Sequence, residues 1–185
     1  NLRLVYTYMY THPGKKLLFM GSEFGQGDEW DSTGVLDWYI LEYPFHQGVQ
    51  KLVKDLNHLY ISEPVLYTHD FEWQGFEWID SNDAQNSVLV FQRKAGDDFL
   101  VVALNFTPVP REGYRIGVPG AGQYREIMNS DTGEYGGSGV GNGPGPLQTE
   151  DQPWMDKPQS LVLNLPPLGG IVLKHEPEPA RKDDA

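Results

Sequence analysis

The 185-residue sequence predicts a mostly β chain, an antiparallel β-sandwich preceded by a helix-strand-helix unit of the α/β kind. Three observations carry this. Two early segments space their apolar residues at three-to-four intervals, a short unbroken apolar run lies between them, and beyond Pro64 the pattern changes to period two with turn residues at the breaks.

The first element is a helix over residues 2–11, where Leu2, Val5, Tyr6, Met9 and Tyr10 form one apolar stripe that His12-Pro13-Gly14 ends. Residues 16–21, KLLFMG, are continuously rather than alternately apolar, the pattern of a strand buried on both faces in a parallel sheet. Periodicity then vanishes over residues 22–44, which are rich in Gly, Asp and Trp. This is the place of a long loop leaving the strand's carboxyl end, where function is more common than framework. Helical spacing resumes over residues 46–61 through Val49, Leu52, Val53, Leu56, Leu59 and Tyr60, and Pro64 closes it.

Strands are predicted over residues 65–69, 75–79, 88–93, 99–106, 114–118 and 124–128, with a final hairpin of 161–165 and 171–175. Residues 133–159, dense in Gly and Pro, read as an excursion over the sandwich surface that Trp154 anchors to the body. The chain therefore divides into residues 1–62 of α/β type, residues 63–176 of all-β type, and an acidic tail, 177–185, predicted to be disordered. It starts at Asn1, already inside an amphipathic element, as expected of a chain that begins within a larger protein.

Composition narrows the partners. Fourteen basic against twenty-six acidic side chains leave a formal charge of −12, which repels phosphate backbones and anionic lipid surfaces, so neither nucleic acid nor membrane is expected as a partner. No run is long and apolar enough for a transmembrane helix. Zero cysteines exclude disulfides and thiolate metal sites and fit a cytoplasmic protein. The five histidines follow no metal-ligand spacing, so no metal or other cofactor is expected.

The candidate site is the loop containing Glu23, Phe24, Asp28, Glu29, Trp30, Asp31, Asp37 and Trp38. Carboxylates hydrogen-bond sugar hydroxyls and indole faces stack on pyranose rings, so this mixture suits a carbohydrate cleft; the competing reading is a solvated loop whose Trp rings cover a rim. A second aromatic group, Phe71, Trp73, Phe76 and Trp78, precedes and opens the β region. Phe76 and Trp78 share a face and read as core, while Trp73 or Trp78 is the candidate stacking ring of an accessory sugar surface.

Several strings then resemble bacterial glycogen branching enzymes of the α-amylase clan: THPGKKLLFMGSEFGQGDEW (11–30), LDW (36–38), HQGVQKLVKDLNHLY (46–60), GFEWID (75–80), NFTPVPREGYRIGVP (105–119) and LPPLGGIVL (165–173). They stand in the family's order and span nearly the whole chain. The resemblance implies that residues 1–62 are the closing part of a (β/α)8 barrel, with strand 8 at 16–21 and helix 8 at 46–61, followed by an α-amylase-type C-terminal domain. It implies an enzyme that cleaves an α-1,4-glucan and transfers the segment to a 6-hydroxyl as an α-1,6 branch. The partners are then glycogen or amylose-like α-glucan and the remainder of the barrel. Retaining chemistry of this kind uses two carboxyl groups about 5–5.5 Å apart. In the family these lie on earlier strands, so no catalytic residue is expected here and the chain alone is expected to be inactive. Glu23, Phe24, Trp30, Asp31, Trp38, Trp73 and Trp78 become substrate-binding candidates. The alternatives are another enzyme of the clan, debranching or trehalose-releasing, and a non-catalytic carbohydrate-binding sandwich.

Overall fold

The structure, a computed structural model, describes residues 1–176, so the tail expected to be disordered lies outside the described residues. Two helices, α1 (Leu2–Thr11) and α2 (Pro44–Ser62), come first. Eight strands follow: β1 (Phe76–Asp83), β2 (Val88–Ala95), β3 (Asp98–Asn105), β4 (Arg111–Val118), β5 (Gln123–Asn129), β6 (Leu147–Gln148), β7 (Gln159–Leu165) and β8 (Gly169–Glu176). All pairings are antiparallel. Six strands form one sheet in the order β1-β2-β3-β8-β5-β6, and β4 with β7 forms a second.

The large sheet is the middle of three layers. Leu100, Val102, Leu104, Phe91 and Val172 point to one face and pack with Leu4, Tyr10, Leu52 and Leu56 of the helices. Val101, Ala103, Val90, Ile171 and Leu173 point to the other and pack with Ile116, Val118, Leu161 and Leu163 of the small sheet. Being covered twice, β3 is apolar at consecutive positions, where a half-solvated strand would alternate. The mostly β architecture with preceding helices matches the expectation, and five of the predicted strands fall within four residues of β1 to β5 at either end.

Four expectations need correction. Residues 16–21 form no strand: Leu17 is 76% and Phe19 55% exposed, because no neighbouring strand within the described chain offers backbone groups to them. Residues 65–69 are a 3-10 turn (Pro64–Leu66) rather than a strand. Pro64 presets the helical φ at the first position, and its carbonyl accepts from the Thr68 N–H (2.9 Å) and hydroxyl (2.8 Å). The predicted final hairpin does not pair with itself. β7 joins β4 while β8 lies between β3 and β5, and the prolines at 166 and 167, without N–H donors, carry the chain from one sheet to the other. The stripe on α1 is also rotated. Leu2 and Val5 are exposed, whereas Leu4, Thr7 and Thr11 are buried, the threonine hydroxyls donating to the carbonyls four residues back at 2.8 and 2.7 Å.

The Gly-rich excursion is docked at its start. Tyr135 is buried and donates its hydroxyl to Asp55 of α2 (2.7 Å), and a Cβ on Gly48 would lie 2.7 Å from the Tyr135 carbonyl carbon. Burial and the Asp55 carboxylate push the Tyr135 phenol well above its ordinary value.

One side chain joins the helical layer to the sheet. Arg93 of β2, fully buried, donates Nε to the Gly75 carbonyl (3.1 Å), Nη1 to Thr11 (2.8 Å), and Nη2 to Leu66 (2.9 Å) and the Asp70 carboxylate (3.0 Å). A buried guanidinium is tolerable because its donors are so fully used.

Candidate functional site

The loop candidates are held by main-chain geometry rather than by a strand. Gly21 and Gly25, both left-handed (φ 87° and 74°), bracket the 3-10 turn Ser22–Phe24. The Tyr6 hydroxyl donates to the Ser22 carbonyl and His46 Nδ1 lies 2.8 Å from that of Phe24, fastening the turn to both helices. Gln26 Oε1 accepts the Asp37 N–H (3.0 Å), which draws the loop's far end back to its start.

Phe24 is 0% exposed, so the structure corrects its assignment as a substrate contact. It supports Trp38 instead: the two ring centroids are 5.0 Å apart and Trp38 remains 55% exposed. Trp30 is exposed and meets Phe19 edge-on at 5.6 Å. Asp31 accepts the Thr33 N–H and hydroxyl, both at 2.8 Å, and those bonds lower its pKa. An ionised carboxylate with unused lone pairs suits sugar hydroxyls. Glu23 lies apart from these, in an open groove of about 690 Å³ with Leu18, Met20 and the Lys54, Asn57 and His58 face of α2.

The second aromatic group is split. Trp73, in the 3-10 turn Trp73–Gly75, is almost fully exposed. Trp78 is 40% exposed and packs edge-on against Phe76 (5.0 Å) and Phe91 (5.7 Å), with His12 at 6.1 Å. Burial lowers the His12 pKa, which favours the uncharged imidazole in that cluster. Among the described residues, no loop ring packs on Trp73 or Trp78.

Among the described residues no group of His, Asp and Glu side chains could hold a metal ion, and no helix is long and apolar enough to cross a membrane. Sequence reading missed a second groove, where β1, β4 and the Trp154 turn converge. Its residues are far apart in the chain and belong to two sheets, so no local pattern announced it.

Three comparisons relate the chain to known proteins. The family described as alpha amylase, C-terminal all-beta domain, matches residues 78–176. The chain is 58% identical over 94% of its length to the 1,4-alpha-glucan branching enzyme of Nitrosococcus oceani, covering 23% of that protein. It is 54% identical over 95% to that of Aquifex aeolicus, covering 28%. The chain thus spans about a quarter of the length of these curated relatives. Among solved structures, the alpha-amylase of Geobacillus thermoleovorans complexed with acarbose aligns with a TM-score of 0.66 at 17% identity. That alignment covers 96% of this chain and 33% of the amylase, a likeness of fold alone.

Proposed function

This chain belongs to the family of α-amylase C-terminal all-β domains, and from that premise we propose that it serves a cytoplasmic 1,4-α-glucan branching enzyme. The observation that carries the proposal is identity of 58% running through 94% of the chain, helical layer included, to relatives that bear that name. A match confined to the sandwich would support only a common accessory domain.

In this reading residues 1–62 complete an α/β barrel and residues 63–176 brace it. Residues 16–21 become a strand when a neighbouring barrel strand supplies hydrogen-bonding partners, which accounts for a strand-like sequence lying unpaired with Leu17 and Phe19 exposed. The loop shapes the cleft and acceptor path: Trp30 and Trp38 offer stacking faces, Asp31 and Glu23 offer hydroxyl acceptors, and Phe24 sets the height of Trp38. Trp73 and Trp78 form an accessory α-glucan surface beside it. The carboxylates that break and make glycosidic bonds come from the part of the enzyme that this chain does not match, and no cofactor takes part.

A chimera that joins the unmatched part of the Nitrosococcus oceani relative to this chain tests the proposal. It should branch amylose, whereas the 185-residue chain alone should not. Trp38→Ala in the chimera should lower kcat/KM by about tenfold or more, the factor corresponding to ~1.4 kcal/mol of lost transition-state binding. A soluble, folded chimera that leaves amylose unbranched would overturn the assignment.

A further inference from the structure

A groove beside Trp154 lies apart from the residues assigned to the cleft. It is an open trough of about 710 Å³, in the size range of ligand sites. Trp154 is 43% exposed on its wall, in a turn built to hold it. The Trp154 and Lys157 main chains exchange two hydrogen bonds, at 3.0 and 2.9 Å, across a two-residue turn. Met155 and Asp156 fill that turn at φ 50° and 57°, left-handed positions that residues with a Cβ disfavour and that Asn-Gly would ordinarily occupy. Lys157 fastens the turn to Glu77 of β1. On its inner side the turn seats against Gly117 of β4, where a Cβ would come within 2.0 Å of the Trp154 carbonyl oxygen. Disfavoured backbone held from several sides points to a position kept for use.

The polar residues of the groove sort into two sets. Asp83 is saturated by the Tyr114 hydroxyl and by Asn86, and frames the wall. Among the described residues, Asp80 accepts only the Asn82 N–H, through Oδ1 (2.8 Å), and Arg115 uses only Nη1, toward Glu150 and Ser160. The buried Nε of Arg111 has no partner among the described residues. Register shifts in β1 around Asp80 and Asp83, and in β4 between Arg111 and Tyr114, border the same trough, a placement that re-aims side chains.

The geometry points to a binding site for a neutral oligosaccharide, with the Trp154 indole stacking on a pyranose face and Asp80 and Arg115 taking hydroxyls. Three carboxylates, Asp80, Asp83 and Glu112, face two guanidiniums, Arg111 and Arg115, so a phosphate or polyanion would meet no net positive field. The choice of an α-1,4-glucan as the chain bound rests on the functional reading above; the groove itself does not. This position is separate from the cleft loop and from Trp73 and Trp78, so the chain would hold glucan at a third place.

Titration of the 185-residue chain with maltoheptaose, followed by the tryptophan indole N–H resonances, tests this, with Trp154→Phe identifying the Trp154 signal by its loss. The expected result is a shift of that signal. Trp154→Ala should weaken maltoheptaose binding, read from the groove backbone amides, by about tenfold or more, whereas Trp154→Phe should largely retain it. The unliganded amide spectrum of each variant, unchanged outside the turn, shows that it folds. Binding unaltered in Trp154→Ala and lost in Trp78→Ala would overturn the groove site. A Trp154 signal moved by cellohexaose but not by maltoheptaose would overturn the α-glucan assignment alone, leaving the branching proposal to the chimera.

Discussion

Residues 1–75 and 76–176 answer the same physical demand differently. Fifteen large apolar or aromatic side chains stand exposed in the first region and five in the second. The β region satisfies itself: each strand finds its backbone partners within the region, and both faces of the large sheet are covered. The helical region covers one face of that sheet and turns its own outer surface, with Val5, Leu17, Phe19, Val35, Phe45 and Ile61, to solvent. One region covers its apolar side chains within the chain; the other leaves many of them exposed.

The largest test of the comparison is the Arg93 junction. Asp70→Ala should cost about 3–5 kcal/mol, because it leaves a fully buried guanidinium without its counter-charge. Urea unfolding would measure it, and hydrogen exchange should show α1 and α2 losing protection before β3 and β8. Equal loss across both regions would mean that they form one cooperative unit.

A smaller effect on stability, with a larger one on association, is expected from Leu17→Glu with Phe19→Glu. Both side chains are exposed, so unfolding free energy should move by no more than about 0.5 kcal/mol. Self-association by sedimentation velocity should fall, because the apolar patch is interrupted. A wild-type chain that is already monomeric at high concentration would show that the exposed surface is not adhesive.

The smallest effect concerns the β region. Lys157 and Lys94 hold the Glu77 carboxylate down to about 2, below its ordinary value of 4.5. A depressed carboxylate contributes stability that is present above pH 4.5 and is lost as pH falls toward 2. Over that window the Trp154 turn should loosen, read as falling amide protection factors at residues 154–157, while the centre of β3 stays protected. Glu77→Gln should abolish the pH dependence of those protection factors.

Much of this was legible in the residues. The two helices and most strands were, because their periodicities are local and strong, and so was the exposed loop with Trp30 and Trp38. Phe24 was misassigned because an aromatic in a Gly-rich acidic loop looks like a contact residue; only its packing beneath Trp38 shows that it is a support. Residues 16–21 form no strand within this chain for a different reason, since an apolar run states what could be buried and not whether a partner is present.

By itself, then, the sequence determined the order of helical and β regions, the absence of thiol chemistry and the acidic charge, all of which follow from composition and short-range periodicity. Tertiary structure alone decided that β7 and β8 part into different sheets, that Arg93 gathers carbonyls from three distant segments, and that Asp80, Arg115 and Trp154 share one groove. The physical reason is range. A side chain's neighbours across sheets are set by how layers stack and where strands shift register, and neither leaves a mark at fixed spacing along the chain.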